Sequence, residues 1–154
     1  MAISDLAPDL TFPRLGSTAA EMEFALDAKR AAMAPHITQK WGWDKNFQRE
    51  VHQQRFAEKP FLEIRTKEQR LGTVSFTIFL DHVRFGEFYL FPEFQNQGTG
   101  SRVLEHCLEQ AKLRSLPIRL EYLRWSPVGS LYRRNGFVQT GESDIHYFME
   151  RSVR

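Results

Sequence analysis

Two glycines, Gly98 and Gly100, lie where an apolar run ends and a helical pattern begins. The run Phe88 to Phe91 stops at Pro92, and apolar side chains recur at helical spacing after Gly100. Glycines at such a turn let the backbone approach a ligand with no Cβ in the way, and the first amides of a helix have no partner within it. The arrangement predicts an anion site, and a pyrophosphate group is the anion we expect.

The spacing separates this turn from two other phosphate-binding motifs. The sequence lacks the Gly-Lys-Ser/Thr ending of a P-loop and the third glycine of a dinucleotide fingerprint. Residues Gln95 to Gly100 instead read Gln-Asn-Gln-Gly-Thr-Gly. This segment resembles the Gln/Arg-x-x-Gly-x-Gly/Ala signature of the GNAT superfamily, the acyl-CoA-dependent N-acyltransferases, and it matches each defined position.

A second segment resembles the same superfamily. Residues Leu131 to Phe137 read Leu-Tyr-Arg-Arg-Asn-Gly-Phe and are similar to the Leu-Tyr-x-x-x-Gly-Phe end of the family's Asn-x-x-Ala-x-x-Leu-Tyr segment. Ser126 stands where asparagine is usual there, and Val128 or Gly129 where alanine is usual. Together the two segments extend the resemblance over roughly residues 71–149, about half of the chain.

The resemblance implies the fold and the cofactor site. The implied fold is a single α/β domain over residues 1–154, in which a mixed sheet of about six to seven strands has helices on both faces and splayed central parallel strands. In the family, the pantetheine arm of acyl-CoA lies in the gap between those strands and pairs with backbone. This implies that the Leu90 N–H faces the thioester oxygen. The cofactor-binding residues expected from the resemblance are Leu90, Phe91, Gln95, Gln97, Gly98, Thr99, Gly100, Ser101 and Ser126.

Acyl transfer from a thioester to an amine needs a neutral amine, a stabilised carbonyl oxygen and a proton for the departing thiolate. By resemblance the Tyr132 hydroxyl points toward the sulfur, and we predict that it is the general acid. Glu87 is our first choice of base, with Glu121, Tyr122 and a water chain as alternatives. Glu87 and Leu90 are three residues apart and so point to opposite faces of an ideal strand. Aligning both requires a bulge between them.

Two tryptophans, Trp41 and Trp43, fall between the first two predicted helices, a region that forms part of the acceptor pocket in the superfamily. They either line that pocket or anchor the loop onto the core. An acceptor with an apolar body and a cationic amine would suit the first interpretation.

The function expected from these features is an N-acetyltransferase. It moves an acetyl group from acetyl-CoA, as co-substrate, to a primary amine of a small molecule or peptide in a ternary complex. One alternative is a non-catalytic acyl-CoA-binding sensor or regulatory module, which would keep residues 95–100 without needing Tyr132. A nucleotide-binding protein that uses the same turn is a second alternative.

Composition limits the number of domains and the kinds of partner that we expect. The chain has 154 residues, 42% of them hydrophobic, which suits one domain with a sizeable core. A formal charge of +2 without a basic stripe does not indicate nucleic-acid binding, and no apolar run approaches the ~20 residues that span a bilayer. No export signal is visible, so we expect a cytoplasmic protein. A homodimer is left open.

The one cysteine and the five histidines show no spacing that indicates covalent catalysis or metal binding. Cys107 lies on the apolar stripe of its helix, which favours direct transfer over an acyl-cysteine route. The five histidines show no ligand spacing, so no metal is expected.

Periodicity and capping residues predict the elements that position these groups. Thr18 and Glu21 form a capping box for a first helix that ends near Met33, because Pro35 disfavours helix in the residue before it. Further helices are predicted at 44–56, after Gly100 as far as Pro117, and from Ser126 to Gly136. Strands are predicted at 61–64, 71–80, 83–91, 118–123, 137–140 and 145–150, with a turn at 141–144.

Overall fold

The computed structural model describes residues 9–40, 45–58 and 60–153. The described helices are α1 Ala19–Lys40, α2 Lys45–Glu58, α3 Thr99–Leu113 and α4 Gly129–Arg134. The strands are β1 Leu62–Arg65, β2 Arg70–Ile78, β3 Val83–Leu90, β4 Ile118–Leu123, β5 Val138–Glu142 and β6 His146–Arg151. No helix in these ranges is both long and apolar enough to cross a lipid bilayer.

The six strands form one mixed sheet in the order β1-β2-β3-β4-β6-β5. Neighbouring strands run antiparallel except β3 and β4, which are parallel and joined by a crossover through α3. The mixed α/β sheet with a central parallel pair confirms the predicted fold class.

The two faces of the sheet are covered by different helices. On one face the buried apolar side chains of β2 and β3, including Val74, Phe76 and Phe85, join Val103 and Leu104 of α3 in the main core. On the other face α1 contacts β2 and β3, and a smaller cluster packs around Ala25 and Phe61. The apolar stripe of α3 packs against the sheet, as its helical period predicts. Helix α3 covers one face of the sheet, and α1 and α2 cover the other.

Several predicted boundaries differ from the structure; β2, for example, ends at Ile78 and not at Leu80. Helix α1 continues through Pro35 to Lys40, because proline disfavours but does not forbid a helix whose other turns are bonded. Helix α4 begins at Gly129, and the Ser126 hydroxyl instead accepts the Val128 N–H at 3.3 Å. The β5–β6 turn begins at Ser143, because β5 extends to Glu142.

The predicted capping box is half formed. The Glu21 N–H donates to Thr18 Oγ1 at 3.2 Å, as such a box requires. The Glu21 carboxylate does not return to the helix start, since it accepts from Arg70 Nη2 at 2.9 Å. The salt bridge therefore ties the first turn of α1 to the start of β2.

His52 of α2 lies buried against α1 and the chain before β1. Only 1% of it is exposed, and its ring centroid lies 5.7 Å from that of Phe61. Nε2 is 3.2 Å from the Met22 carbonyl oxygen, while Nδ1 has no hydrogen-bond partner among the described residues. Burial lowers the pKa of His52 below its ordinary value of 6.5, so the folded protein holds this ring neutral.

We expect His52 to make the fold sensitive to mild acid. Because the unfolded chain takes up the proton first, the contribution is full above about pH 6.5 and is lost as pH falls toward the lowered pKa, by at most ~1.4 kcal/mol per pH unit. Urea unfolding at several pH values would measure this loss. His52→Phe keeps an aromatic ring beside Phe61 and should flatten the curve, whereas parallel curves for the two proteins would contradict the assignment.

Candidate active site

The central parallel strands separate soon after they begin to pair. β3 pairs with β4 only at Val83–Ile118 and Arg84–Arg119. β3 continues to Leu90 and β4 to Leu123 with no further pairing between them among the described residues. The edge of β3 that faces β4 is therefore open along most of its length.

A β-bulge bends β3 within the open stretch. Thr73 pairs with Tyr89 and Ser75 with Gly86, so two residues of β3, Glu87 and Phe88, stand opposite one residue of β2. Glu87 has a φ of 45°, which is unusual for a residue with a side chain. Such a conformation costs on the order of 1–3 kcal/mol and persists where surrounding structure enforces it. The predicted bulge is present, but it does not bring Glu87 and Leu90 to one face: Glu87 contacts Arg55 of α2, whereas the Leu90 side chain packs near Gly100 of α3.

The Leu90 backbone is directed toward the gap. The next residue, Phe91, donates its N–H to the Leu71 carbonyl on β2 at 3.0 Å. Because alternate residues of an antiparallel strand bond to the same neighbour, the Leu90 N–H points away from β2, to the side where β4 has separated. It is positioned to meet an acceptor oxygen in the gap.

A groove of about 1040 Å³ passes through this opening in the sheet. Adjacent residues of one strand, whose side chains lie on opposite faces, both line it: Phe88 and Tyr89 on β3, and Leu120 and Glu121 on β4. The groove is thus continuous from the face that carries α3 and α4 to the face that carries α1 and α2. Its volume suits a cofactor-sized ligand.

The start of α3 offers unbonded amides at one end of the groove. Gly98 has a φ of 82°, a conformation that glycine adopts readily, and its carbonyl accepts the first helical hydrogen bond from the Arg102 N–H at 3.1 Å. The N–H groups of Thr99, Gly100 and Ser101 consequently have no partner inside the helix. A Cβ built on Gly98 meets no atom within 4 Å, which leaves the space beside these amides open. This geometry fits a diphosphate group.

The other predicted cofactor residues fall into two groups. Leu90, Gln95, Gly98, Gly100, Ser101 and Ser126 line the groove, whereas Phe91, Gln97 and Thr99 do not. Gln95 Nε2 donates to the Leu90 carbonyl at 2.8 Å, which fixes the turn to the strand end. Gln97 Nε2 donates to the Glu93 carbonyl at 2.8 Å, and the Phe91 ring packs against Phe24. The side chains of Gln95, Gln97 and Phe91 are therefore engaged within the protein.

Tyr132 lies in the wall of the groove on the α4 side. Its ring packs against Phe85, Tyr122 and Phe137, and only 5% of the residue is exposed. Burial, with a smaller effect of Tyr122, raises its pKa, so the hydroxyl keeps its proton at neutral pH. A protonated phenol fixed by three rings at the groove suits the predicted general acid.

Glu87 is held at the groove by two neighbours. Its Oε2 accepts from the Tyr89 hydroxyl at 3.0 Å, and its Oε1 lies 3.7 Å from Arg55 Nη1. The side chain is only 4% exposed. Burial and the adjacent Glu87 charge raise the pKa of Tyr89, which therefore stays a donor to the carboxylate. Glu87 is therefore a fixed hydrogen-bond acceptor at the bulge.

Sequence reasoning did not identify three further polar residues of the groove. Arg55 approaches Glu87 from α2, and Arg84 Nη2 donates to Glu121 Oε1 at 2.8 Å. His146, at the start of β6, also lines the groove, and its pKa is lowered mainly by burial and also by Arg55 and Arg84. No local pattern marks these residues, because helix α2 and strands β3, β4 and β6 meet only in the folded chain.

Two other predictions concern Cys107 and the two tryptophans. Cys107 is fully buried on α3, and burial raises its pKa, so the structure offers no thiolate for an acyl-cysteine route. Trp41 and Trp43 lie outside the described residues, and their role stays a prediction. The helices on either side of them do reach the groove, through Met33 of α1 and Phe47 and Val51 of α2.

Comparisons with known proteins agree with this geometry. The family model described as "Acetyltransferase (GNAT) domain" matches residues 57–139. The fold is similar to that of the PaiA N-acetyltransferase from Thermoplasma acidophilum, solved with coenzyme A, at 16% identity, a TM-score of 0.73, and 93% coverage of this chain and 98% of that chain. An acyl-CoA N-acyltransferase from Pseudomonas aeruginosa shares 19% identity at a TM-score of 0.62, over 94% and 99% of the two chains. No curated protein matches the sequence.

Proposed function

Because the chain belongs to the GNAT acetyltransferase family, we propose that it transfers an acetyl group from acetyl-CoA to a primary amine of a small molecule or peptide, directly and in a ternary complex. The observation that carries this proposal is the groove through the split between β3 and β4, with free amides of α3 at one end. Such a passage lets a carrier enter from one face of the sheet and an acceptor from the other.

The described residues have distinct parts in binding the carrier. The amides of Thr99, Gly100 and Ser101 hold the diphosphate, and the open edge of β3 pairs with the amide-bearing arm as an added strand would. When bound, the carrier supplies an activated acyl group and a thiol leaving group. The Leu90 N–H donates to the acyl oxygen as negative charge grows on it.

Side chains on β3 and α4 carry out the two proton transfers. Glu87 takes the proton that the amine loses, directly or through one water, and Tyr132 Oη gives its proton to the sulfur as the C–S bond breaks. The N–C bond that forms and the C–S bond that breaks leave an amide and a thiol, so atoms and charge balance. Tyr132 also distinguishes this proposal from a sensor, which would bind the carrier without needing a buried phenol at the groove.

The test combines binding and turnover. Coenzyme A at a hundredfold excess over its Kd should stabilise the protein by about 2.7 kcal/mol, and ATP should give no comparable shift. Thiol release from acetyl-CoA should then depend on an added amine. Equal stabilisation by ATP would favour a nucleotide-binding protein, and binding without amine-dependent release would favour the sensor.

Ser101→Asp tests the site of the diphosphate. An anion in the first turn of α3 should stabilise the free protein by about 0.3–1 kcal/mol through the helix dipole. The same charge repels the diphosphate, so the affinity for coenzyme A should fall at least tenfold. Gln53→Glu adds an equal charge on an exposed part of α2 that does not line the groove, and it should leave that affinity unchanged. An unchanged affinity in Ser101→Asp would contradict the assignment.

A further inference from the structure

The end of the groove covered by α1 and α2, here named the acceptor end, combines an apolar wall with a charged floor. Large apolar side chains remain partly open to solvent there, with Phe47 58% and Phe79 47% exposed. A wall of this kind suits an apolar ligand. The apolar lining residues of the acceptor end are Ala32, Met33, Phe47, Val51 and Phe79.

The floor presents a cation and a carboxylate side by side. Arg55 Nη1 lies 3.7 Å from Glu87 Oε1, farther than the 2.7–2.9 Å typical of a charge-assisted hydrogen bond. Arg55 lines the groove, and its side chain is 37% exposed. Its guanidinium is thus open to a ligand while it remains close to Glu87. Arg84 and Glu121, in contrast, are joined at 2.8 Å and already satisfy each other. Of these two arginines, Arg55 is therefore the better placed to receive an anionic group of a ligand.

The charge balance of the lining disfavours a polycationic acceptor. The described lining carries four cationic side chains and three carboxylates, so a diamine or polyamine finds no surplus of negative charge. The cationic residues are Lys29, Arg55, Arg84 and Arg134, and the carboxylates are Glu58, Glu87 and Glu121. A ligand with one ammonium and one carboxylate close together matches the Glu87–Arg55 pair charge for charge.

We propose that the acceptor is a free α-amino acid with an apolar side chain, whose carboxylate binds Arg55, whose amine faces Glu87 and whose side chain lies on the apolar wall. This rests on the proposed acetyl transfer and names its substrate class. The guanidinium can bind a carboxylate through two parallel hydrogen bonds, which also fixes the direction of the neighbouring amine. The carboxylate itself takes no part in the bonds that form and break.

Matched amines test the inference in the intact protein with acetyl-CoA. Phenylalanine and phenethylamine differ only by the carboxylate, and phenylalaninamide replaces its charge with a neutral amide. We expect kcat/KM for phenylalanine to exceed that for phenethylamine about tenfold to a hundredfold, as a hydrogen bond to a charged group implies. Phenylalaninamide should behave like phenethylamine.

Variants of Arg55 assign the preference to one residue. Arg55→Gln should bring the ratio of the two kcat/KM values close to one, chiefly by slowing phenylalanine, and Arg55→Lys should retain part of it. Arg49→Gln is the matched control, because Arg49 on the same helix pairs with Glu23 and does not line the groove. The control should keep the wild-type ratio.

The outcomes separate this inference from the proposed function. Faster transfer to phenethylamine or spermidine than to phenylalanine, or a ratio unchanged by Arg55→Gln, would overturn the substrate class and leave an amine acetyltransferase. Retained coenzyme A binding with no amine-dependent thiol release for these acceptors or for a wider panel of small amines and peptides would overturn both.

Discussion

Replacing Tyr132 with phenylalanine is expected to lower kcat at least a hundredfold while the affinity for coenzyme A stays close to that of the wild type. A positioned general acid contributes on the order of 10²–10⁴ to rate, and the change removes only the hydroxyl oxygen that would protonate the sulfur. The ring contacts with Phe85, Tyr122 and Phe137 remain, so the fold should persist. Steady-state thiol release and calorimetric titration with coenzyme A give the two quantities.

Tyr147→Phe is the matched control for this prediction. Tyr147 lies on β6 beside Tyr122 but does not line the groove, so loss of its hydroxyl should leave kcat within about twofold. A Tyr132→Phe enzyme with kcat within threefold of the wild type would remove the proposed acid role. Loss of both kcat and coenzyme A affinity would instead assign the hydroxyl to binding.

Alanine at Gly72 is expected to destabilise the protein by about 3 kcal/mol and to disrupt the site as well. A Cβ at this position would overlap the Tyr89 carbonyl oxygen and lie 3.0 Å from Leu90 Cα, so backbone atoms of β3 would have to move. Gly72 pairs with Leu90, whose N–H points into the gap. The substitution should therefore weaken coenzyme A binding in the fraction of protein that still folds.

Gly86→Ala provides the comparison on the same sheet. A Cβ built on Gly86 meets no atom within 4 Å, so urea unfolding should show little loss of stability. Similar stability losses in the two variants would mean that general strand propensity, and not the close approach of β3 to Gly72, explains the effect.

The sequence contains most of the information needed to predict the sheet. The period of β4 predicts Ile118 to Leu123 with the bounds that the structure has, because prolines and turns delimit the strand. The residue count between Glu87 and Leu90 places their side chains on opposite faces of a regular strand, because strand geometry has a period of two, and the structure keeps them there despite the bulge. The helix predicted to begin at Ser126 begins at Gly129 instead, because the Ser126 hydroxyl bonds a nearby amide of a turn.

The candidate site is predictable only where it depends on local backbone. The free amides near Gly98 follow from a turn that opens a helix, so the motif indicates them directly. Arg55 reaches Glu87 across 32 positions of sequence, and His146 reaches the groove from the end of the chain. Nothing near these residues in sequence shows that contact, because it depends on how helices and strands pack.

The early separation of β3 from β4 has a consequence for solubility. An open strand edge on the outside of a sheet is a template for pairing with other chains, and proteins usually shield such edges. Here the open edge lies in the middle of the sheet, between α1 and α2 on one face and α3 and α4 on the other. A second chain would have to pass between these helices to pair with the edge, whereas a slender, unbranched molecule with its own amide groups needs less room, so the enclosure favours such a ligand over strand pairing between proteins.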